Sequence, residues 1–130
     1  MKKQSILLVE ADVLARHPLA EYLRDCGYLV VEAISAAEAQ LLASSGHPEF
    51  DAALIDVATV GDDGFAFAQW LRRNYPSVAI SITGNIEKIT DQARKLCDEA
   101  PSLTKPHDHR AVLDQIKRLL AARQRAKVSG

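Results

Sequence analysis

The chain has 130 residues, 48% hydrophobic and 25% charged, a composition that supports one buried core and excludes wholesale disorder, collagen-like repeats and a small disulfide-held scaffold. Its formal net charge of −1 gives no overall field toward nucleic acid or an acidic membrane, so no direct nucleic-acid partner is expected. The distribution is uneven: residues 1–63 carry 11 acids and 4 bases, and residues 64–130 carry 6 acids and 12 bases.

Residues 5–9 form an apolar run that stops abruptly in acids, the pattern of a strand buried on both faces. From Asp12 the period changes. Ala15, Leu19, Tyr22, Leu23 and Cys26 recur at helical spacing, with Asp12 as N-cap and Gly27 placed to end the helix. Residues 28–33 read as a second strand, and Ser35 caps an Ala/Leu-rich helix running to Ser45, which Gly46-His47-Pro48 breaks. The third strand is 51–56. Thr59 to Gly64 holds two glycines and two aspartates without apolar periodicity and is expected to be an exposed loop. A helix through about Asn74, a strand over 77–83, a rather polar helix over 86–97 and a very short strand over 102–104 follow. Lys105-Pro106 leads into a last amphipathic helix striped by Val112, Leu113, Ile116, Leu119 and Leu120, with arginines and lysines on its outer face. A solvated face explains that basic surface without nucleic acid.

Strands alternating with helices imply parallel pairing through right-handed crossovers, hence a doubly wound α/β domain with helices on both faces. One domain over 1–130 is expected, with a core of about 4–122 and a basic tail over 123–130. Cys26 and Cys97 lie far apart in sequence and form no CxxC, so neither a disulfide nor a zinc site is expected, and a reducing cytoplasm is. No apolar run is long enough for a signal peptide or a membrane span. His107 and His109 beside Asp108 lack a third metal ligand and read as exposed residues next to a helix cap.

In doubly wound folds chemistry gathers beyond the carboxyl ends of the strands. Here those ends are Glu10-Ala11-Asp12, Asp56, Thr83-Gly84 and Lys105-Pro106. Together they offer carboxylate oxygens for a hard cation, a nucleophilic oxygen, a hydroxyl donor and an ammonium, a set suited to phosphoryl chemistry. Asp56 stands out because apolar residues flank it on both sides, at the boundary of the core. Glu10, Asp12, Asp56, Asp62 and Asp63 are expected to crowd this rim and favour a bound cation. No glycine-rich phosphate loop follows the first strand, which disfavours a flavin or nucleotide binder.

The ordered series I-L-L-V-E (6–10), D-A-A-L-I-D-V (51–57), D-G-F (63–65), I-T-G (82–84) and L-T-K-P (103–106) resembles the response regulator receiver domain of bacterial two-component systems. The resemblance implies a flavodoxin-like fold with five parallel strands in the order 2-1-3-4-5, and a phosphoprotein that accepts a phosphoryl group on Asp56 from a histidine kinase or phosphotransfer protein. By position it makes Glu10, Asp56 and the backbone carbonyl of Ala58 the magnesium ligands. It makes Thr83 the hydroxyl of the switch, Lys105 the ammonium that meets the phosphoryl group, and Pro106 the proline joined to it by a cis bond. Such a module is no enzyme in its own right, although it assists its own phosphorylation and dephosphorylation.

Two positions depart from the family pattern. Ala11 stands where the second acid belongs, which is expected to weaken the magnesium site rather than abolish it. Ser102 stands where an aromatic switch residue belongs, so no ring reports the movement of Thr83. Signal transduction would run to a partner protein through the face of the helix over 86–97, the strand over 102–104 and the last helix, where two copies could also pair. The chain is then a stand-alone receiver or one excised from a longer protein. The alternative is a phosphorylation-independent pseudo-receiver that acts as a protein interaction module.

Overall fold

The computed structural model describes residues 4–45, 50–84 and 86–99. Their chain order is β1 (Ser5–Val9), α1 (Val13–Asp25), β2 (Leu29–Ala33), α2 (Ala36–Ser44), β3 (Ala52–Asp56), α3 (Val57–Val60), α4 (Asp63–Asn74), β4 (Ala79–Thr83) and α5 (Ile86–Glu99). Every residue of β1 is buried, so both faces of the strand are covered. Strand alternation sorts its side chains between two layers. Ile6 and Leu8 pack with Leu54, with Ala15, Leu19 and Leu23 of α1, and with Ile89 and Ala93 of α5. Leu7 and Val9 pack with Ala53 and Ile55, with Ala39 of α2, and with Phe67, Ala68 and Leu71 of α4. Each fully buried Leu or Ile contributes about 1.5–3 kcal/mol, so these two layers outweigh any single polar contact in holding the sheet.

The described sheet is parallel in the order β2-β1-β3-β4, the flavodoxin-like arrangement. The fifth strand expected over 102–104 and the last helix lie outside the described residues, as do Ser102, Lys105 and Pro106.

Several local expectations hold, each for an identifiable reason. The Asp12 side chain accepts from the Leu14 amide to start α1, and the Ser35 hydroxyl accepts from the Glu38 amide to start α2. Gly27 ends α1 at φ 105°, a conformation that favours glycine; its amide bonds to the Arg24 carbonyl and the Tyr28 amide to that of Leu23, the Schellman arrangement.

Two expectations are corrected. The stretch from Thr59 to Gly64 is mostly helical: Asp56 caps the four-residue α3, and α4 already begins at Asp63. The pattern was hidden because α3 is a single turn, too short for periodicity, and it starts from a side-chain cap. The second correction concerns the cysteines. Cys26 and Cys97 form a disulfide between the C-cap of α1 and the last turns of α5, with both residues fully buried. Separation in sequence says nothing about separation across two helices packed on one face of a sheet.

Candidate functional site

The site is built by strand register. Val9 of β1 lies opposite Ile55 of β3, so Glu10 and Asp56, each one residue further, come side by side at the carboxyl edge of the sheet. Asp56 is in turn the register partner of Thr83 on β4. Glu10 and Asp56 are fully buried, and Thr83 is nearly so. Three of the residues singled out in the sequence therefore form one row across the central strands.

Each is held by specific partners. One oxygen of Asp56 accepts from the Ala58 amide at 3.0 Å, so the same carboxylate that ends β3 starts α3. The Thr83 hydroxyl lies 3.4 Å from the Ile55 carbonyl oxygen. Glu10 receives the Thr59 hydroxyl on Oε2, and the Asp12 amide approaches the same oxygen at 3.3 Å. Arg16 reaches the Glu10 carbonyl at 3.2 Å while pairing with Glu32 at 3.1 Å, tying the α1 side of the rim to the end of β2.

The electrostatics follow from burial. Burial pushes the Glu10 carboxyl up to about 7 from its ordinary 4.5; the Thr59 hydroxyl pulls it down, the Asp56 carboxyl beside it raises it through hydrogen bonding and charge, and the Asp12 amide lowers it. A cation beside Glu10 would oppose that upward shift, because positive charge favours the ionised carboxylate.

The donor set fits a hard divalent cation of the magnesium type. Its side-chain donors are carboxylates, and magnesium is commonly held by one or two of these with phosphate oxygens and water completing the shell. The wider crowding expected of five acids reduces to a pair: Asp12 is turned to its cap, and Asp62 and Asp63 are exposed at the start of α4. Among the described residues, no group of three or more His, Cys, Asp or Glu gathers to hold a metal ion. Ala11 is exposed and adds no ligand from its side chain.

Sequence reasoning missed Thr59 and Arg16. Arg16 occupied a polar helix position with nothing to mark it. Thr59 lies in a stretch whose sequence reads as a loop, and only its spacing of three residues from Asp56, one helical turn, signals that it returns to the rim.

A parallel sheet in the order 2-1-3-4, with buried carboxylates at the ends of β1 and β3 and a threonine at the end of β4, defines a receiver-type α/β domain. The sequence matches the model of the response regulator receiver domain over residues 6–117, and the chain belongs to that family. Solved structures share the fold. The CheY-like receiver domain protein of Methanospirillum hungatei is 20% identical, with 96% of this chain and 99% of that one covered at a TM-score of 0.57. Chemotaxis protein CheY4 of Vibrio cholerae is 26% identical, with 92% and 100% covered at 0.57. The HemR receiver domain of Leptospira biflexa is 25% identical, with 91% and 94% covered at 0.53. Compared with curated proteins, the sequence matches none.

Proposed function

We propose that this receiver domain accepts a phosphoryl group on Asp56 from a histidine kinase or phosphotransfer protein and passes the signal to a partner protein. The observation that carries the reading is the row Glu10, Asp56, Thr83: a fully buried carboxylate at a strand end, with a second buried carboxylate on one side and a hydroxyl on the other. An Asp56 carboxylate oxygen attacks phosphorus as the bond to the donor histidine nitrogen breaks, giving an acyl phosphate and a neutral imidazole after protonation. A bound magnesium ion supplies charge neutralisation of the phosphoryl oxygens. Glu10, Asp56 and the Ala58 carbonyl are the residues that would hold it.

Thr83 would donate to a phosphoryl oxygen on Asp56, a role supported by their register pairing. Lys105, outside the described residues, is the expected ammonium at the same group. The domain promotes its own phosphorylation and dephosphorylation without being an enzyme for another substrate. Output is expected to run through the α5 side of the domain, a surface that would also serve a homodimer; the rest of the expected output surface, residues 102–122, lies outside the described residues. Among the described residues no helix is long and apolar enough to cross a membrane. We place the domain in the cytoplasm with its kinase, where the buried disulfide is unusual and makes redox state a variable to control.

The test is intact mass after incubation with acetyl phosphate, with and without Mg²⁺, for the wild type, Asp56→Asn and Ala11→Asp. A magnesium-dependent gain of one phosphoryl group, absent in Asp56→Asn, supports the reading. No label on the wild type but label on Ala11→Asp would mean a receiver disabled at its metal site, acting through phosphate-independent partners.

A further inference from the structure

The Thr59 side chain reaches from α3 across to the end of β1. Its hydroxyl donates to Glu10 Oε2 and accepts from the Ala11 amide at 3.2 Å. A hydroxyl has one proton and two lone pairs, so both bonds are made at once, and the 3.4 Å approach to the Asp56 carbonyl is left as a weak contact. Ala11 at the same time provides no carboxylate of its own.

We propose that Thr59 is a positioning residue of this site: its hydroxyl, bonded to both Glu10 and the Ala11 amide, fixes Glu10 as the cation-facing carboxylate in a rim that lacks the second acid. The inference rests on the phosphoacceptor reading above and deepens it. The physical reason is geometric. The Thr59 hydroxyl bridges Glu10 Oε2 and the Ala11 amide, so it ties the Glu10 side chain to the backbone at the end of β1 and sets the direction in which its carboxylate faces the rim. With a second acid present, losing one orienting hydrogen bond would matter less. With Ala11 in its place, Glu10 is the sole carboxylate from the β1 end beside Asp56, and its orientation decides the geometry of the site.

The experiment is magnesium titration of the full chain, without phosphodonor, by calorimetry and by NMR shifts of residues 8–12 and 55–59, for the wild type, Thr59→Ser and Thr59→Val. Thermal melting in the absence of cation checks that both variants fold. Thr59→Val is expected to bind Mg²⁺ about tenfold more weakly, the usual scale for losing a partner that orients a ligand, and Thr59→Ser to stay within about twofold of the wild type. Equal affinity of Thr59→Val and the wild type overturns the role of Thr59, as does equal weakening of both variants. If in that case acetyl phosphate still labels Asp56, the phosphoacceptor reading stands alone. A wild type that shows neither magnesium-dependent heat nor shifts overturns the role of Thr59, and label on Asp56 then separately decides the fate of the phosphoacceptor reading.

Discussion

Asp56 and Thr83 are register partners at the last position of β3 and β4, and the Thr83 hydroxyl lies 3.4 Å from the carbonyl of Ile55, the residue just before Asp56. That distance is at the outer limit of a hydrogen bond, so little holds the hydroxyl where it is. Asp56 is the register partner of Thr83, so a group built on that carboxylate would offer the hydroxyl a new acceptor on the adjacent strand. Thr83→Val is therefore expected to cost less than about 1 kcal/mol of stability and to leave Asp56 able to accept a phosphoryl group. The phosphorylated variant should lose the chemical-shift changes in β4 that the phosphorylated wild type shows. If those changes persist in Thr83→Val, the hydroxyl is not the switch.

Replacing Ala11 tests the missing acid directly. An aspartate at this exposed position adds a third carboxylate beside Glu10 and Asp56 and is expected to tighten magnesium about tenfold, since affinity of hard cations follows ligand charge. The same substitution should lower the melting temperature in the absence of cation, because it brings like charge to an acidic rim. Calorimetric titration and thermal melting with and without Mg²⁺ read both effects. Unchanged affinity would mean that residue 11 does not face the cation.

Gly64 carries a steric prediction. A Cβ there would stand 2.9 Å from Val57 Cγ1 and 3.2 Å from Ile55 Cγ2, both on stiff β-branched side chains beside Asp56. Gly64→Ala is expected to destabilise by about 1–3 kcal/mol, the cost of overpacking a well-filled site. Gly84→Ala serves as the control, since a Cβ there meets nothing within 4 Å. Urea denaturation of the pair should separate them clearly. Equal stability would show that α3 yields without cost.

These contrasts show what the sequence made legible. The four described strands were readable within two residues at each end because each is a short run rich in apolar residues, continuous in β1 where both faces are buried, and the caps at Asp12, Ser35 and Gly27 carry local chemistry that needs no tertiary context. Glu10, Asp56 and Thr83 were readable because strand ends in such a fold converge. The contributions of Thr59, Arg16 and the Cys26–Cys97 bridge were not. Each depends on which side chains of different elements come within bonding distance, and neither polarity nor periodicity along one element reports that. The acids were over-counted because neighbours in sequence do not share the rim: Asp12 caps α1, and Asp62 and Asp63 are exposed at the start of α4.

The Cys26–Cys97 bridge should be a large single contributor to stability. It closes a loop of 71 positions between α1 and α5, and restricting the unfolded chain to that extent is worth about 4 kcal/mol. Reduction, or the double substitution Cys26→Ala with Cys97→Ala, is expected to shift the denaturant midpoint downward accordingly. Both sulfurs are buried, so reduction by a mild thiol should be slow in the native state and fast in denaturant. Equal midpoints for reduced and oxidised protein would contradict this.

Glu32, at the end of β2, gives the pH prediction. Its carboxylate meets Arg16 at 3.1 Å, Arg24 at 3.3 Å and His17 at 3.4 Å. Burial raises its pKa, but the hydrogen bonds from Arg16 and His17 and the charges of Arg24 and His17 outweigh it, leaving the group below its ordinary 4.5. A carboxyl lowered by folding favours the native state when ionised in both states. That contribution is fully present above pH 4.5 and is lost as pH falls below 4.5 toward and through the folded value. Glu32→Gln is therefore expected to cost about 1 kcal/mol at pH 7, a modest figure because Arg24 and His17 are well exposed to solvent, and to cost progressively less on acidification. Denaturant unfolding of wild type and variant at pH 7, 5 and 3 measures the gap directly. A gap that stays constant across that range would assign the effect to lost packing of the side chain instead of lost charge.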